Sequence, residues 1–209
     1  MTGGPHSFRI GIPDSWTQYD LSGDDLARVR AGLLRTTPQK DGRDQINEAF
    51  RHARQILEGA RRRGALYAAG TTTLYEDGLL MAGMMVFSVS PPAGESFSAH
   101  SLAQQFSTTG SGSRSGTSRT FSTPTLPSVG PVGRLVGVEE SGLTGEAGYQ
   151  LLVMHTVVPV PGSRRALIIT CFSPNLPLAD QLYDVFDAIT ATFAFEDEPN
   201  PSERTPSTG

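Results

Sequence analysis

The single cysteine, Cys171, is the first candidate for chemistry, and it lies near the end of the apolar run ALIITCFS. A reactive cysteine needs a thiolate stabilised by a cation, a histidine or a helix N-terminus. In a strand, alternation places Leu167, Ile169 and Cys171 on one face, which is typical of a core position. No cysteine-protease signature surrounds the residue, although His155 on a neighbouring predicted strand leaves a thiol enzyme open as the alternative. We therefore predict that Cys171 is a buried core residue.

The other residue types that carry chemistry form no recognisable constellation. The four histidines, His6, His52, His100 and His155, show no pair at metal-ligand spacing. We expect His52 on the solvent side of a helix and His155 half-buried in a strand with a hydrogen-bond partner. No G-x-S-x-G elbow is present, and the glycines of GSGSRSG lack the G-K-[ST] ending of a phosphate loop. The sequence predicts no metal and no cofactor.

Two pairs of carboxylates also fail to indicate an acid/base site. Asp184 and Asp187 are spaced to share one helix face, which we expect to be solvated. Glu139 and Glu140 are adjacent in a predicted strand and therefore point to opposite faces. We predict no catalytic residue and a protein that is not an enzyme.

Arginines form the strongest charged feature. Most are on or beside a predicted helix and two are in a predicted hairpin, and they are Arg51, Arg54, Arg61, Arg62, Arg63, Arg164 and Arg165. Such a cluster can bind an acidic partner or a phosphate. The alternative is a solvated helix face, with Glu58 and Arg62 as a stabilising i, i+4 pair. These seven arginines are the candidate partner-binding residues.

Hydrophobic periodicity predicts the elements that would position these residues. Helical spacing marks two early helices, with Ser22 as the N-cap of the first, and a closing helix over about 178–193. Alternating apolar runs mark the strands, and Asp77-Gly78 is a hairpin signal. In chain order the predictions are strand, helix, helix, strand pair, a short helix at SAHSLAQQF, a loop, three strands and helix. This order favours an α+β fold in which an antiparallel sheet of about six strands is covered by helices.

Composition bounds the domain organisation and the location. At 209 residues, 37% of them hydrophobic, the chain fits a single domain over 1–195. We expect a flexible Ser/Gly/Thr-rich loop at about 107–125 and a disordered C-terminal tail over 196–209. The net charge of −4 argues against a nucleic-acid partner. The expected location is the cytoplasm, with no membrane insertion, because no secretory signal or spanning apolar segment is apparent.

Two segments carry a resemblance to a known family. FRIGIPDSW near the start, and VPVPGSRRALIITCFSPNL leading into LYDVFDAITATFAF near the end, are similar to the PsbP-like α/β/α sandwich family. That group includes PsbP of photosystem II, a fungal Ran-binding import factor and LpqN-type actinobacterial proteins. The resemblance implies the sandwich fold and a scaffold or assembly role, and no family binding residue maps onto this chain.

Two functions follow as hypotheses. The favoured one is a non-enzymatic protein-binding or adaptor module of the cytoplasm, linked by fold analogy to secretion or complex assembly, whose partner is another protein. The alternative is a small-molecule-binding pocket protein or enzyme with the 107–123 loop as a lid. A closed apolar pocket beneath that loop, lined by His155 or Cys171, would support the alternative, whereas a solid core there would oppose it.

Overall fold

A computed structural model of the chain describes residues 7–76, 78–91, 119–141 and 149–196. The strands are β1 (Ser7–Arg9), β2 (Thr17–Gln18), β3 (Ala65–Tyr75), β4 (Gly78–Val89), β5 (Thr120–Ser122), β6 (Thr125–Leu126), β7 (Gly130–Pro131), β8 (Gly133–Ser141), β9 (Tyr149–Pro159), β10 (Ala166–Ser173) and β11 (Ala194–Glu196). The helices are α1 (Asp24–Thr36), α2 (Lys40–Arg62) and α3 (Ala179–Ala191), the last preceded by a 3₁₀ turn at Leu176–Leu178. The predicted short helix at SAHSLAQQF lies outside the described residues.

One antiparallel sheet organises the molecule, with strand order β2-β3-β4-β10-β9-β8-β5. The predicted α+β class and antiparallel sheet are confirmed, with seven strands where about six were expected. The β3–β4 hairpin closes at Tyr75 opposite Gly78, and β9 and β10 pair antiparallel across the predicted turn. Two strand pairs lie outside the main sheet, because the opening strand β1 pairs with β11 and β6 pairs with β7.

Helices cover both faces of this sheet. On one face α3 buries Leu182, Phe186 and Ile189 against a core that includes Ile169 and Cys171. The other face packs against α1 and α2 in a second apolar cluster. Val185 of α3 is exposed. The predicted helix–sheet–helix layering is therefore present. None of the helices among the described residues is long and apolar enough to span a membrane.

Two predicted boundaries need correction. The expected loop at about 107–125 extends too far, because Thr120–Ser122 is strand β5, paired with β8 at the sheet edge. The backbone of 120–122 hydrogen-bonds to β8 in this pair, and the Ser/Thr-rich composition did not indicate that pairing. The rest of that loop up to residue 118 lies outside the described residues, as does the tail beyond Glu196.

The start of α1 also differs from expectation. Ser22 was predicted as the N-cap, but Gly23 occupies that position with φ +94°. The Asp20 and Asp25 carboxylates support the turn instead. Asp25 N donates to Asp20 Oδ1 at 3.0 Å, and Asp20 N donates to Asp25 Oδ2 at 2.9 Å. This reciprocal pairing satisfies amides at a helix start in the manner of a capping box.

Candidate functional site

Helix α2 forms the roof of a cavity above the sheet. Its buried stripe of Ile46, Phe50, Leu57 and Ala60 holds it against the sheet, as the sequence predicts. Beside that contact the helix and the strands β3, β4 and β10 leave a mainly apolar cavity of about 370 Å³. Pockets that hold small ligands have volumes of roughly 300–1,000 Å³ and similar linings.

The floor of this cavity is formed by two glycines that face each other across strands. Gly70 on β3 pairs with Gly83 on β4. A Cβ at Gly83 would lie 2.6 Å from Cζ of Phe172, and one at Gly70 would lie 2.6 Å from the Ala82 carbonyl oxygen and 3.2 Å from Cε2 of Tyr19. The absence of side chains on the floor lets two aromatic rings pack directly over the backbone.

Asn175 lines the cavity and is held there by hydrogen bonds to the backbone of β4. Its Oδ1 accepts from Met81 N and its Nδ2 donates to Leu79 O, both at 2.9 Å. Ser173 Oγ donates to Met81 O at 2.6 Å. This network ties the end of β10 and the segment after it to β4, so this part of the cavity wall is held by hydrogen bonds to backbone.

Polar side chains of α2 reach the same cavity. Gln45, Glu48 and His52 contribute to its lining. The sequence placed His52 on the solvent side, whereas the side chain is half-buried against the cavity. The reason is geometric: His52 precedes Ile56 by four residues, and Ile56 also lines the cavity.

A groove with a polar strip adjoins the cavity and shares Ile56, Met85, Leu151 and Phe172 with it. Its strip connects Glu139, His155 and Thr170. His155 Nδ1 lies 3.0 Å from Thr170 Oγ1, and His155 Nε2 lies 3.4 Å from Glu139 Oε1. The hydrogen bond from His155 lowers the pKa of Glu139, with help from the Arg119 guanidinium at 3.1 Å. The prediction of a half-buried, hydrogen-bonded His155 is confirmed.

The Thr170–His155–Glu139 arrangement has residue types that could activate a hydroxyl. Thr170, however, lies inside β10 between β4 and β9, opposite Met85 and His155. Backbone amides there belong to the sheet ladders, so the described surroundings of Thr170 offer no pair of free N–H groups for an oxyanion. The strip fits polar recognition better than nucleophilic catalysis.

Cys171 lies on the opposite face of the sheet from this groove. It is fully buried, with 0% exposure, in the core under α3. Burial raises the pKa of its thiol to about 12. The prediction that Cys171 is a core residue is confirmed.

The candidate arginines separate into two sets. Arg51 pairs with Glu48 at 3.7 Å, and Arg54 pairs with Glu58 at 2.9 Å. Glu58 was expected to pair with Arg62, but the Nε of Arg54 approaches it instead, one turn before it on the helix. The two α2 arginines at 51 and 54 therefore already have acidic neighbours.

The second set is brought together by strand order. Arg61, Arg62 and Arg63 precede β3, and Arg164 and Arg165 precede β10, and all five are exposed. Ala65 at the start of β3 pairs with Phe87, and Ala166 at the start of β10 pairs with Val89. Both starts flank the end of β4, so these five arginines lie at one end of the sheet, which we call the basic end.

Sequence reasoning missed a buried ion pair on the α3 side. Arg134 is 8% exposed. Its Nη2 donates to Thr190 Oγ1 at 2.8 Å, and its Nε donates to Thr156 Oγ1 at 3.4 Å. Its Nη1 contacts the carboxylate of Asp187. Asp187 is exposed, as expected for its helix face, and from there its carboxylate also contacts the buried guanidinium. The sequence contained a signal for this burial, because Arg134 lies two residues before the apolar Val136 and therefore on the same face of β8.

Metal binding finds no support in the described ranges, where no group of three or more His, Cys, Asp or Glu side chains is placed to hold an ion.

Comparisons with known proteins show a likeness at the level of structure. No family model matches the chain, and no curated protein matches it. Among solved structures, it is similar to the crystal structure of LpqN, a protein involved in cell envelope biogenesis of Mycobacterium tuberculosis. The TM-score is 0.46 at 10% sequence identity, with 93% of this chain and 85% of the LpqN chain covered. A likeness this distant carries no inference about function, and the PsbP-like resemblance stays a prediction.

Proposed function

We propose that this protein is a non-enzymatic binding module whose binding site is the cavity between α2 and the sheet. The observation that carries the proposal is that particular residues of the sheet and the adjoining segments shape this cavity and hold it in place. Its floor is the Gly70–Gly83 pair, its walls include Tyr19 and Phe172, and Asn175 is held in its lining by hydrogen bonds to β4. The sequence offered a small-molecule pocket as its alternative, and the site differs from that expectation in lying under α2.

The lining indicates what the ligand is. Most of the walls are apolar, so a ligand gains affinity chiefly by removing apolar surface from water. Gln45, Glu48 and His52 provide a few polar contacts on the helix side. We infer a compact, mainly apolar molecule that carries a hydrogen-bonding group at one end.

A cavity-filling variant tests this proposal. Ala53 lies on α2, is half-buried and lines the cavity. The fluorescent probe anilinonaphthalene sulfonate should bind the native protein, and Ala53→Phe should weaken its binding by about tenfold or more. Ala31→Phe, the same change at an exposed position of α1, is the matched control and should bind as wild type does.

The melting temperature of each variant shows that the probe reports a native cavity. Equal probe affinity in Ala53→Phe and wild type, with both proteins folded, contradicts the proposal. Competition with a panel of small apolar molecules would then identify the ligand class from those that displace the probe.

The basic end supports a second function, docking of an acidic protein partner, as expected from the favoured sequence hypothesis. Five exposed arginines at one end of a sheet attract acidic segments through their combined field. Arg61→Glu with Arg62→Glu should abolish salt-sensitive binding of a poly-glutamate peptide without lowering the melting temperature. Arg51→Glu with Arg54→Glu is the control on the same helix, and equal losses in both double variants would remove the basic end as the site.

The partner protein and the cytoplasmic location stay predictions from the sequence, as does the absence of catalysis. The lid role proposed for residues 107–123 falls mostly outside the described residues.

A further inference from the structure

One large apolar side chain is exposed at the basic end. Leu66, the second residue of β3, is 53% exposed, and it follows Arg63 by three residues. Isolated exposed leucines are ordinary on protein surfaces. Two features set Leu66 apart, namely the backbone that presents it and the charges that surround it.

A β-bulge removes Leu66 from the regular alternation of β3. Ala65 and Tyr67 pair with consecutive residues of β4, so Leu66 is an extra residue without a partner in that ladder. Ala65 and Ala68 consequently belong to the same buried cluster, although they are three residues apart. A bulge re-aims the side chain of its extra residue. The backbone itself therefore presents Leu66 to solvent.

Four arginines of the basic end take part in none of the ion pairs among the described residues, and they are Arg61, Arg62, Arg63 and Arg165. Arg51 and Arg54, earlier on α2, differ in this respect because each has a glutamate partner on the same helix. An acidic segment can therefore bind at the basic end without first displacing a carboxylate of the described chain.

Strand order places these arginines within reach of one short peptide. Those at 61–63 come just before β3, and Arg165 comes just before β10. Both strands neighbour β4, and adjacent strands lie about 4.8 Å apart, so roughly 10 Å separates the two groups across the sheet. An extended peptide advances about 6.7 Å for every two residues. A short acidic segment can therefore contact both groups while one of its central side chains lies on Leu66.

We propose that the basic end binds an acidic segment of another protein that carries one leucine-sized apolar side chain, which packs on Leu66. The flanking carboxylates pair with the arginines at 61–63 on one side and with Arg165 on the other. This inference rests on the docking function proposed above for the basic end, and it adds the feature that distinguishes one acidic segment from another. Charge attracts every acidic segment and is screened by salt, whereas the apolar contact selects among them.

A pair of peptides measures the apolar contact by itself. Each fluorescein-labelled heptapeptide has three glutamates on both sides of a central residue, which is leucine in one peptide and alanine in the other. At low ionic strength, fluorescence anisotropy should show that the leucine peptide binds the native protein about fivefold more tightly. Leu66→Ser should bring the two affinities within about twofold of each other and leave the affinity for the alanine peptide unchanged.

Tyr75→Ser is the matched control, because Tyr75 is 55% exposed at the opposite end of the same strand. This variant should keep the full difference between the two peptides. Arg61→Glu with Arg62→Glu should abolish the binding of both peptides, which would show that they bind at the basic end.

Equal binding of the two peptides to the native protein overturns the contact with Leu66 but leaves docking at the basic end intact. An unchanged difference in Leu66→Ser also overturns it, because the leucine would then contact another part of the protein. Failure of both peptides to bind overturns the docking function itself. Binding of the native protein to phosphatidylglycerol vesicles in that last case would assign the basic end to an anionic membrane surface.

Discussion

Arg134 shows how one side chain can link the sheet to the helix that covers it. Its guanidinium is buried beneath α3 and donates to Thr156 on β9 and Thr190 on α3. A buried charge is tolerated only when it is paired and hydrogen-bonded. Asp187 supplies the negative partner while its own side chain stays 62% exposed. The network therefore holds α3 in one position against β8 and β9.

Two aspartates on α3 provide a matched comparison of this network. Asp187→Ala should lower the free energy of unfolding by about 1–2 kcal/mol, because Arg134 then keeps its charge without a counterion. Asp184→Ala, three residues earlier on the helix and exposed, should change it by less than about 0.5 kcal/mol. Urea unfolding measures both. Equal effects would mean that the ion pair contributes nothing to stability.

Cys171 should be unreactive in the native protein. The thiol is buried and its pKa is raised to about 12, so both access and the thiolate fraction are small. We expect iodoacetamide at pH 8 to modify it about 100-fold more slowly than in guanidinium, measured by mass spectrometry. Comparable native and denatured rates would show that the core under α3 opens readily.

At the scale of elements, the close pairing of β3 and β4 determines the shape of the candidate site. Gly70 and Gly83 face each other, and each is covered by an aromatic ring from another element. A side chain at Gly83 would meet the Phe172 ring, and one at Gly70 would meet the Ala82 carbonyl. The hairpin at Gly78 sets the two glycines opposite each other, but the spacing along the strands does not indicate which rings cover them.

Alanine at the two glycines should have unequal effects. At Gly70 the new Cβ would meet the Ala82 carbonyl, which is backbone and cannot move without disturbing the sheet. At Gly83 it would meet the tip of the Phe172 ring, which can move away through a change in the χ1 angle of that side chain. We expect Gly70→Ala to destabilise by about 2–3 kcal/mol and Gly83→Ala by about 1 kcal/mol, measured by chemical unfolding. A larger effect at Gly83 would mean that the Phe172 ring is held more rigidly than the strand.

At the scale of the whole molecule, the pH dependence of stability follows from the partly or fully buried groups whose pKa values change on folding. Burial raises the pKa values of Tyr19, Tyr67, Tyr183 and Cys171. A raised folded-state pKa means that stability is complete below the unfolded pKa and is lost as pH rises toward the folded value. Glu139 has the opposite sign, since its pKa is lowered and its contribution is lost on acidification.

Stability should therefore decline on both sides of neutrality. Above about pH 9, where an unfolded cysteine ionises, the free energy of unfolding should fall. Cys171→Ala should lessen that fall between about pH 9 and 10, before the tyrosines contribute. Below about pH 4.5, Glu139→Gln should flatten the acid limb. Thermal unfolding across pH checks both, and unchanged slopes in the variants would assign the pH dependence to other groups.

The sequence by itself determined the local features of this protein. The apolar stripe of α2, the hairpin at Gly78 and the core position of Cys171 all follow from spacing of two, three or four residues, which the backbone geometry fixes. The prediction of an α+β fold follows from the order of such elements.

Only the tertiary structure decided which distant residues meet. The contact of Arg134 with Thr190 and the meeting of the arginines before β3 with those before β10 depend on strand order and on how α3 packs. A shift of one residue in register would turn each side chain to the other face of the sheet. The total packing of helices and strands sets that register, so the cavity, the buried ion pair and the basic end arise only in the folded chain.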